Sequence, residues 1–116
     1  KSVRIFINEF VQICLHLLYN SYENIIEKKV SNPQIIIVTN DYEDGVVMTI
    51  SDNAGGIPDE IIDKIFDPYF STKYGKNGNG LGLYISKLVI EEHLRGKITV
   101  ENENDGVKFV IQLRDI

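Results

Sequence analysis

Four short runs in this chain hold residue types that could handle a phosphorylated ligand. In the first, His16 and Asn20 stand four residues apart, followed by Glu23, so that on a helix they form one polar line. The amide oxygen of Asn20 is a donor of the kind Mg2+ accepts, because that cation keeps most of its waters and takes only one or two protein ligands. The second run is Asp52-Asn53-Ala54-Gly55-Gly56-Ile57-Pro58. A carboxylate there can accept from an exocyclic amino group such as adenine N6, and the small residues after it let the edge of a base approach the backbone. In the third run, Gly78-Asn79-Gly80-Leu81-Gly82-Leu83, alternate glycines leave N–H groups open at the start of a helix, where the positive end of the dipole favours phosphate. It is not a Walker loop, since no Gly-Lys-Ser/Thr follows, and its spacing does not fit a dinucleotide fingerprint. The fourth, Phe66-Asp67-Pro68-Tyr69-Phe70-Ser71-Thr72-Lys73, combines aromatic anchors with Thr72 and Lys73, which could reach a terminal phosphate. Taken singly, each run also has a plain structural explanation: a solvated helix face, a glycine turn, a flexible loop end, an aromatic core beside a surface lysine.

Positioning these runs falls to a small set of elements. Apolar residues at Ile7, Phe10, Val11, Cys14, Leu17, Leu18, Tyr22, Ile25 and Ile26 recur with helical spacing and predict a long amphipathic helix with His16 and Asn20 on its other face. The β-branched runs Ile35 to Thr39 and Val46 to Ser51 read as a hairpin turning through residues 40–45. Pro58, Asp59 and Glu60 suit the first turn of a short helix reaching about Ile65. Residues 67–80 have no steady period and form the one long loop, of a length usually reserved for function. A further helix is expected from Leu81 to His93, stopped by Gly96. Strands over Lys97 to Glu101 and Val107 to Leu113 then join through Asn104-Asp105-Gly106. Helices interleaved with hairpins imply an α/β (α+β) two-layer sandwich, with helices on one face of a mixed sheet.

Composition narrows the classes. A chain of 116 residues has room for one domain. Its hydrophobic share of 43% and charged share of 25% are those of an ordinary globule. A net charge of −5 argues against nucleic acid as a partner, but a single triphosphate remains compatible with backbone N–H groups, a metal ion and one or two cations. Cys14 is the only cysteine; it excludes a disulfide framework, suggests a reducing compartment, and is expected to be a small buried hydrophobe. The longest aliphatic run, Ile35 to Val38, falls far short of the ~20 residues that span a bilayer. The domain is expected to lie in the cytoplasm without spanning a membrane itself.

In this order and at these separations, the four runs resemble the N, G1, F and G2 boxes of two-component sensor histidine kinases, members of the GHKL ATPase group with the Bergerat fold. The resemblance covers Glu9 to His93 directly. It implies one ATP-binding catalytic domain over residues 1–116 of a longer kinase, with about three helices on one face of the sheet and an ATP lid at about 67–80. ATP and Mg2+ are the implied cofactors. Asn20 looks like the Mg2+ ligand, Asp52 like the carboxylate that reads adenine N6, and Gly56 and Ile57 like lining of the base pocket. Phe66 and Phe70 look like F-box residues, Thr72 and Lys73 like lid residues near the γ-phosphate, and Gly78, Gly80, Leu81 and Gly82 like the turn around the triphosphate. His16, Asn20 and Lys73 are the implied catalytic group. His16 stands where hydrolytic relatives of the group carry a glutamate base, which favours phosphoryl transfer by a kinase over built-in hydrolysis. Ala54 stands where glycine is usual, and a positive φ there would cost about 1 kcal/mol.

The implied acceptor is a histidine on a separate helical dimerisation domain. The parent would be a homodimer, and a response regulator receiver domain would be an indirect partner. Two alternatives share the pattern: an anti-sigma-type serine kinase, separable by assaying a serine-bearing against a histidine-bearing acceptor, and a degenerate docking module, separable by a missing thermal shift with Mg-ATP.

Overall fold

The computed structural model describes residues 5–70 and 82–114. Helix α1 runs over Ile7–Glu27, a stretch without glycine or proline. It ends in a Schellman motif: Lys29 takes a left-handed φ of 51°, its N–H donates to Ile26 O, and the Val30 N–H donates to Ile25 O. Strands β1 (Ile35–Tyr42) and β2 (Gly45–Asp52) form the first hairpin, and β3 (Lys97–Glu103) and β4 (Gly106–Arg114) the second. Between them lie a single turn of helix, α2 (Asp59–Ile62), and helix α3 (Gly82–Leu88), which widens into a π-helical turn over Val89–His93. Among the described residues α2 is shorter than the helix expected to Ile65, its end continuing as turns. The left-handed residue that ends the last helix is Arg95 (φ 57°), not Gly96, whose N–H donates to Ile90 O.

The sheet has the order β1-β2-β4-β3. Every described pairing is antiparallel, so the sheet expected to be mixed contains here only hairpin partners and the β2–β4 seam between them. The two-layer sandwich is as expected. Its core forms where alternate strand residues face the helices: Ile50, Ile98, Val107, Phe109, Ile111 and Leu113 pack with Ile13, Leu17, Ile65, Ile90 and Leu94. Register aligns these layers, with Ile50 opposite Phe109 and Ile98 opposite Ile111.

The buried line of α1 is Ile13, Leu17, Ser21 and Ile25. Of the apolar stripe read from the sequence, Leu17 and Ile25 face the core, whereas Ile7, Val11, Tyr22 and Ile26 are exposed. The helix is apolar on more than one side, so spacing alone does not select the inward face. A hydroxyl, Ser21, occupies a place the pattern assigns to no element of the core. Cys14 is half-buried, and among the described residues no helix is long and apolar enough to cross a membrane.

Candidate functional site

The site grows from the end of β2. Asp52 is the last residue of that strand, one step beyond the Ser51–Lys108 pair of the β2–β4 ladder, so its carboxylate sits among backbone groups of two chain segments. Oδ1 accepts from the N–H of Ala54 at 3.0 Å and from that of Val107 at 3.4 Å. Oδ2 accepts from the Ser21 hydroxyl at 2.7 Å, which ties α1 to the strand end. Gly106 makes this approach possible: a Cβ there would fall within 1.5 Å of the Asp52 carbonyl oxygen. The expected role of Gly106 was a hairpin turn; the left-handed residue of that turn is Asn104, and the glycine serves close packing instead.

The loop after Asp52 is strapped on both sides. Gly55 adopts φ 83° and donates its N–H to Asp105 O in the β3–β4 turn. Ala54 is buried and is not among the residues with positive φ, so the left-handed strain expected there falls on a glycine. Asn53 accepts from the Gln34 N–H and donates to Asn32 O. Asn102 on β3 brackets Ile57, accepting its N–H at 2.7 Å and donating to its carbonyl at 2.8 Å, and Gly56 packs beside that amide.

Asn20 precedes Ser21 on α1 and is half-buried. Helix α3 touches α1, while His93 Nδ1, beyond its far end, lies 3.2 Å from Glu9 Oε2 in the first turn of α1. Among the described residues that Glu9 oxygen has no hydrogen-bond partner of good geometry. Helix α3 therefore runs back along α1. Gly82 is the first residue of α3. His16 is exposed and opens onto a groove of about 510 Å³ whose other walls are Leu15, Leu18, Tyr19, Tyr22 and Ile35; Asp52 does not line it. Asn20 thus adjoins the serine that bonds Asp52, whereas His16 opens onto a groove that Asp52 does not line.

Phe66 packs edge-on against Phe109, with ring centroids 6.2 Å apart, and carries the Lys87 ammonium 5.3 Å above its own ring. Phe70 and Ile57 also pack against the core. Thr72, Lys73, Gly78, Gly80 and Leu81 lie outside the described residues. Sequence reasoning missed Ser21, Asn102 and Gly106. A serine four residues from both Leu17 and Ile25 was a usable signal; an asparagine in a strand and a glycine in a hairpin were not distinctive.

Among the described residues no group of three or more His, Cys, Asp and Glu side chains could hold a metal ion. The amide oxygen of Asn20 is the kind of single protein ligand that Mg2+ takes when a phosphate supplies the rest.

A two-layer domain with a carboxylate held at the end of β2, between a long helix and a strand hairpin, defines a class of nucleotide-handling domains, and comparison with known proteins gives the class its family. The sequence profile described as "Histidine kinase-, DNA gyrase B-, and HSP90-like ATPase" matches residues 9–115, and the chain belongs to this family. The solved catalytic domain of histidine kinase ThkA superposes with a TM-score of 0.81 at 33% identity, covering 96% of this chain and 70% of that one. The chain is therefore a catalytic domain of the histidine-kinase type. A mycobacterial sensor histidine kinase, MprB, shares the fold with a TM-score of 0.78 at 21% identity, covering 98% of this chain and 78% of that one. Among curated relatives, the heme sensor protein HssS of Staphylococcus haemolyticus is 33% identical over 84% of this chain and 22% of its own length. The sensor protein SrrB of Staphylococcus aureus is 33% identical over 84% of this chain and 17% of its own. The two-component sensor PprA of Pseudomonas aeruginosa is 37% identical over 59% of this chain. The chain thus spans less than a quarter of the length of these relatives.

Proposed function

We propose that this domain binds Mg-ATP, with adenine at Asp52, and donates the γ-phosphate to a histidine on a separate helical dimerisation domain in two-component signalling. The observation that carries the reading is the state of the Asp52 carboxylate. An ionised carboxylate offers about four acceptor sites; three are used by Ala54, Val107 and Ser21. The remaining site is on Oδ2, suited to an exocyclic amino group.

Asn20, one residue from the anchoring serine, would contribute its amide oxygen to Mg2+, and Gly82 at the head of α3 would stand near the phosphates. Held there, the metal would supply neutralisation of phosphate charge. Phosphoryl transfer asks little covalent chemistry of the protein, so the residues named here act by orienting the nucleotide. A response regulator receiver domain is the expected downstream partner, and a homodimeric parent the expected assembly.

The test is phosphotransfer from radiolabelled ATP to a helical hairpin bearing the acceptor histidine, supplied in trans. Acid-labile, base-stable label on the hairpin is the expected outcome. Label on a serine-bearing partner instead, or nucleotide binding with no transfer to any acceptor, contradicts the histidine-kinase assignment.

A further inference from the structure

We infer that Ser21 is a positioning residue for Asp52 and sharpens discrimination at the 6-position of a bound purine; the inference rests on the reading of Asp52 as the base-recognising carboxylate. Ser21 has no exposed surface and lies on the inward line of α1 between Leu17 and Ile25, where an apolar side chain would ordinarily serve the core. A hydroxyl buried there is unfavourable unless it is hydrogen-bonded, and its partner is Asp52 Oδ2 at 2.7 Å.

The distribution of donors gives this bond a specific consequence. Two backbone N–H groups occupy Oδ1, so among the described residues the acceptor site left open is on Oδ2, the atom Ser21 also touches. With N–H groups on one oxygen and a hydroxyl on the other, the carboxylate plane is fixed about its Cβ–Cγ bond and the open lone pair keeps one direction. The carboxylate then acts as an acceptor only. It suits the amino group of an adenine and repels the carbonyl oxygen of a 6-oxopurine. Ser21 has committed its proton to Asp52, so its influence on the base passes through that carboxylate.

The experiment compares the wild-type chain with Ser21→Ala, titrating each with ADP and with IDP, which carries oxygen in place of the 6-amino group. Binding is followed by displacement of a fluorescent adenine nucleotide up to millimolar competitor. ADP affinity should fall about three- to ten-fold in Ser21→Ala, while IDP affinity changes by less than about two-fold, so the ADP-to-IDP preference contracts. Equal weakening of both nucleotides would mean that Ser21 serves only the fold, and with an unchanged preference would overturn the inference. If Ser21→Ala does not fold, Ser21→Cys, close in size and a weak donor, is expected to show the same contraction; a wild-type preference in that variant overturns the inference equally. Failure of the wild-type chain to bind the fluorescent nucleotide or ADP would instead refute the underlying reading of Asp52.

Discussion

At the scale of single residues, the site is organised by what each polar atom accepts. Among the described residues Asp52 has one acceptor site left after its three bonds, so Asp52→Ala should lower ATP affinity by roughly 1.5 to 3 kcal/mol, about ten- to a hundred-fold, through loss of a charge-assisted hydrogen bond. Calorimetric titration measures this, and unchanged affinity would remove Asp52 from the site. Two residues on, backbone conformation matters more than side-chain chemistry. Gly55 at φ 83° should not tolerate a side chain: Gly55→Ala is expected to cost about 1–2 kcal/mol in denaturant unfolding, while Ala54→Gly brings no gain, since Ala54 carries no left-handed strain. Stability raised by Ala54→Gly would contradict the backbone described here. Cys14 offers a pH test. Burial raises its thiol pKa above the ordinary 9.0, so the native state binds the thiol proton more tightly than the unfolded chain. Its contribution to stability is complete below that ordinary value and is lost as pH rises through the higher native one. Unfolding free energies of wild-type and Cys14→Ala should therefore converge as the medium becomes more alkaline; a difference independent of pH would show that the thiol is not desolvated.

At the scale of elements, the β3–β4 hairpin works as a clamp on the loop after β2. Asp105 receives the Gly55 N–H, Val107 donates to Asp52, and Asn102 brackets Ile57 with two hydrogen bonds. These contacts hold the loop at a distance from α1 that the Ser21–Asp52 bond then sets from the other side. Asn102→Ala should lower stability by about 1–2 kcal/mol and weaken nucleotide binding several-fold, although Asn102 need not touch the ligand. Thermal melting with and without Mg-ADP separates the two effects; a melting point unchanged in both conditions would show that the bracket carries no weight. Helix α1 teaches a different lesson. Its hydropathy has more than one apolar side, and the side that meets the sheet is chosen by the partners it finds there, among them the carboxylate that Ser21 bonds.

At the scale of the whole molecule, one core joins α1, the last helix, β2 and the β3–β4 hairpin, and among the described residues β1 and α2 add no side chain to it. Phe109 is 1% exposed and stands opposite Ile50 on β2 and Val100 on β3, with Phe66 against its ring. Phe109→Ala should cost about 3–5 kcal/mol, a large share of the 5–15 kcal/mol that usually stabilises a domain. Loss of cooperative thermal unfolding is the expected readout. Phe66 packs against that ring and belongs to the aromatic run after α2, so Phe109→Ala should also reduce nucleotide-dependent stabilisation.

What could be read from the chain alone was whatever depends on neighbours close in sequence. The β-branched runs, the two hairpins, the long first helix and the glycine run before the last one follow from composition, periodicity and turn chemistry, and Asp52 stands out because an acid followed by small residues is a local pattern. Contacts across long separations were not legible in the same way. The bond between Ser21 and Asp52 joins residues 31 positions apart, and that between Asn102 and Ile57 joins residues 45 apart. Gly106 looked like a turn residue until the backbone of Asp52 was found where its Cβ would have been. Sequence specifies the acceptor and donor types, but which donor meets which acceptor is decided only when the sheet closes and brings distant segments within hydrogen-bond range.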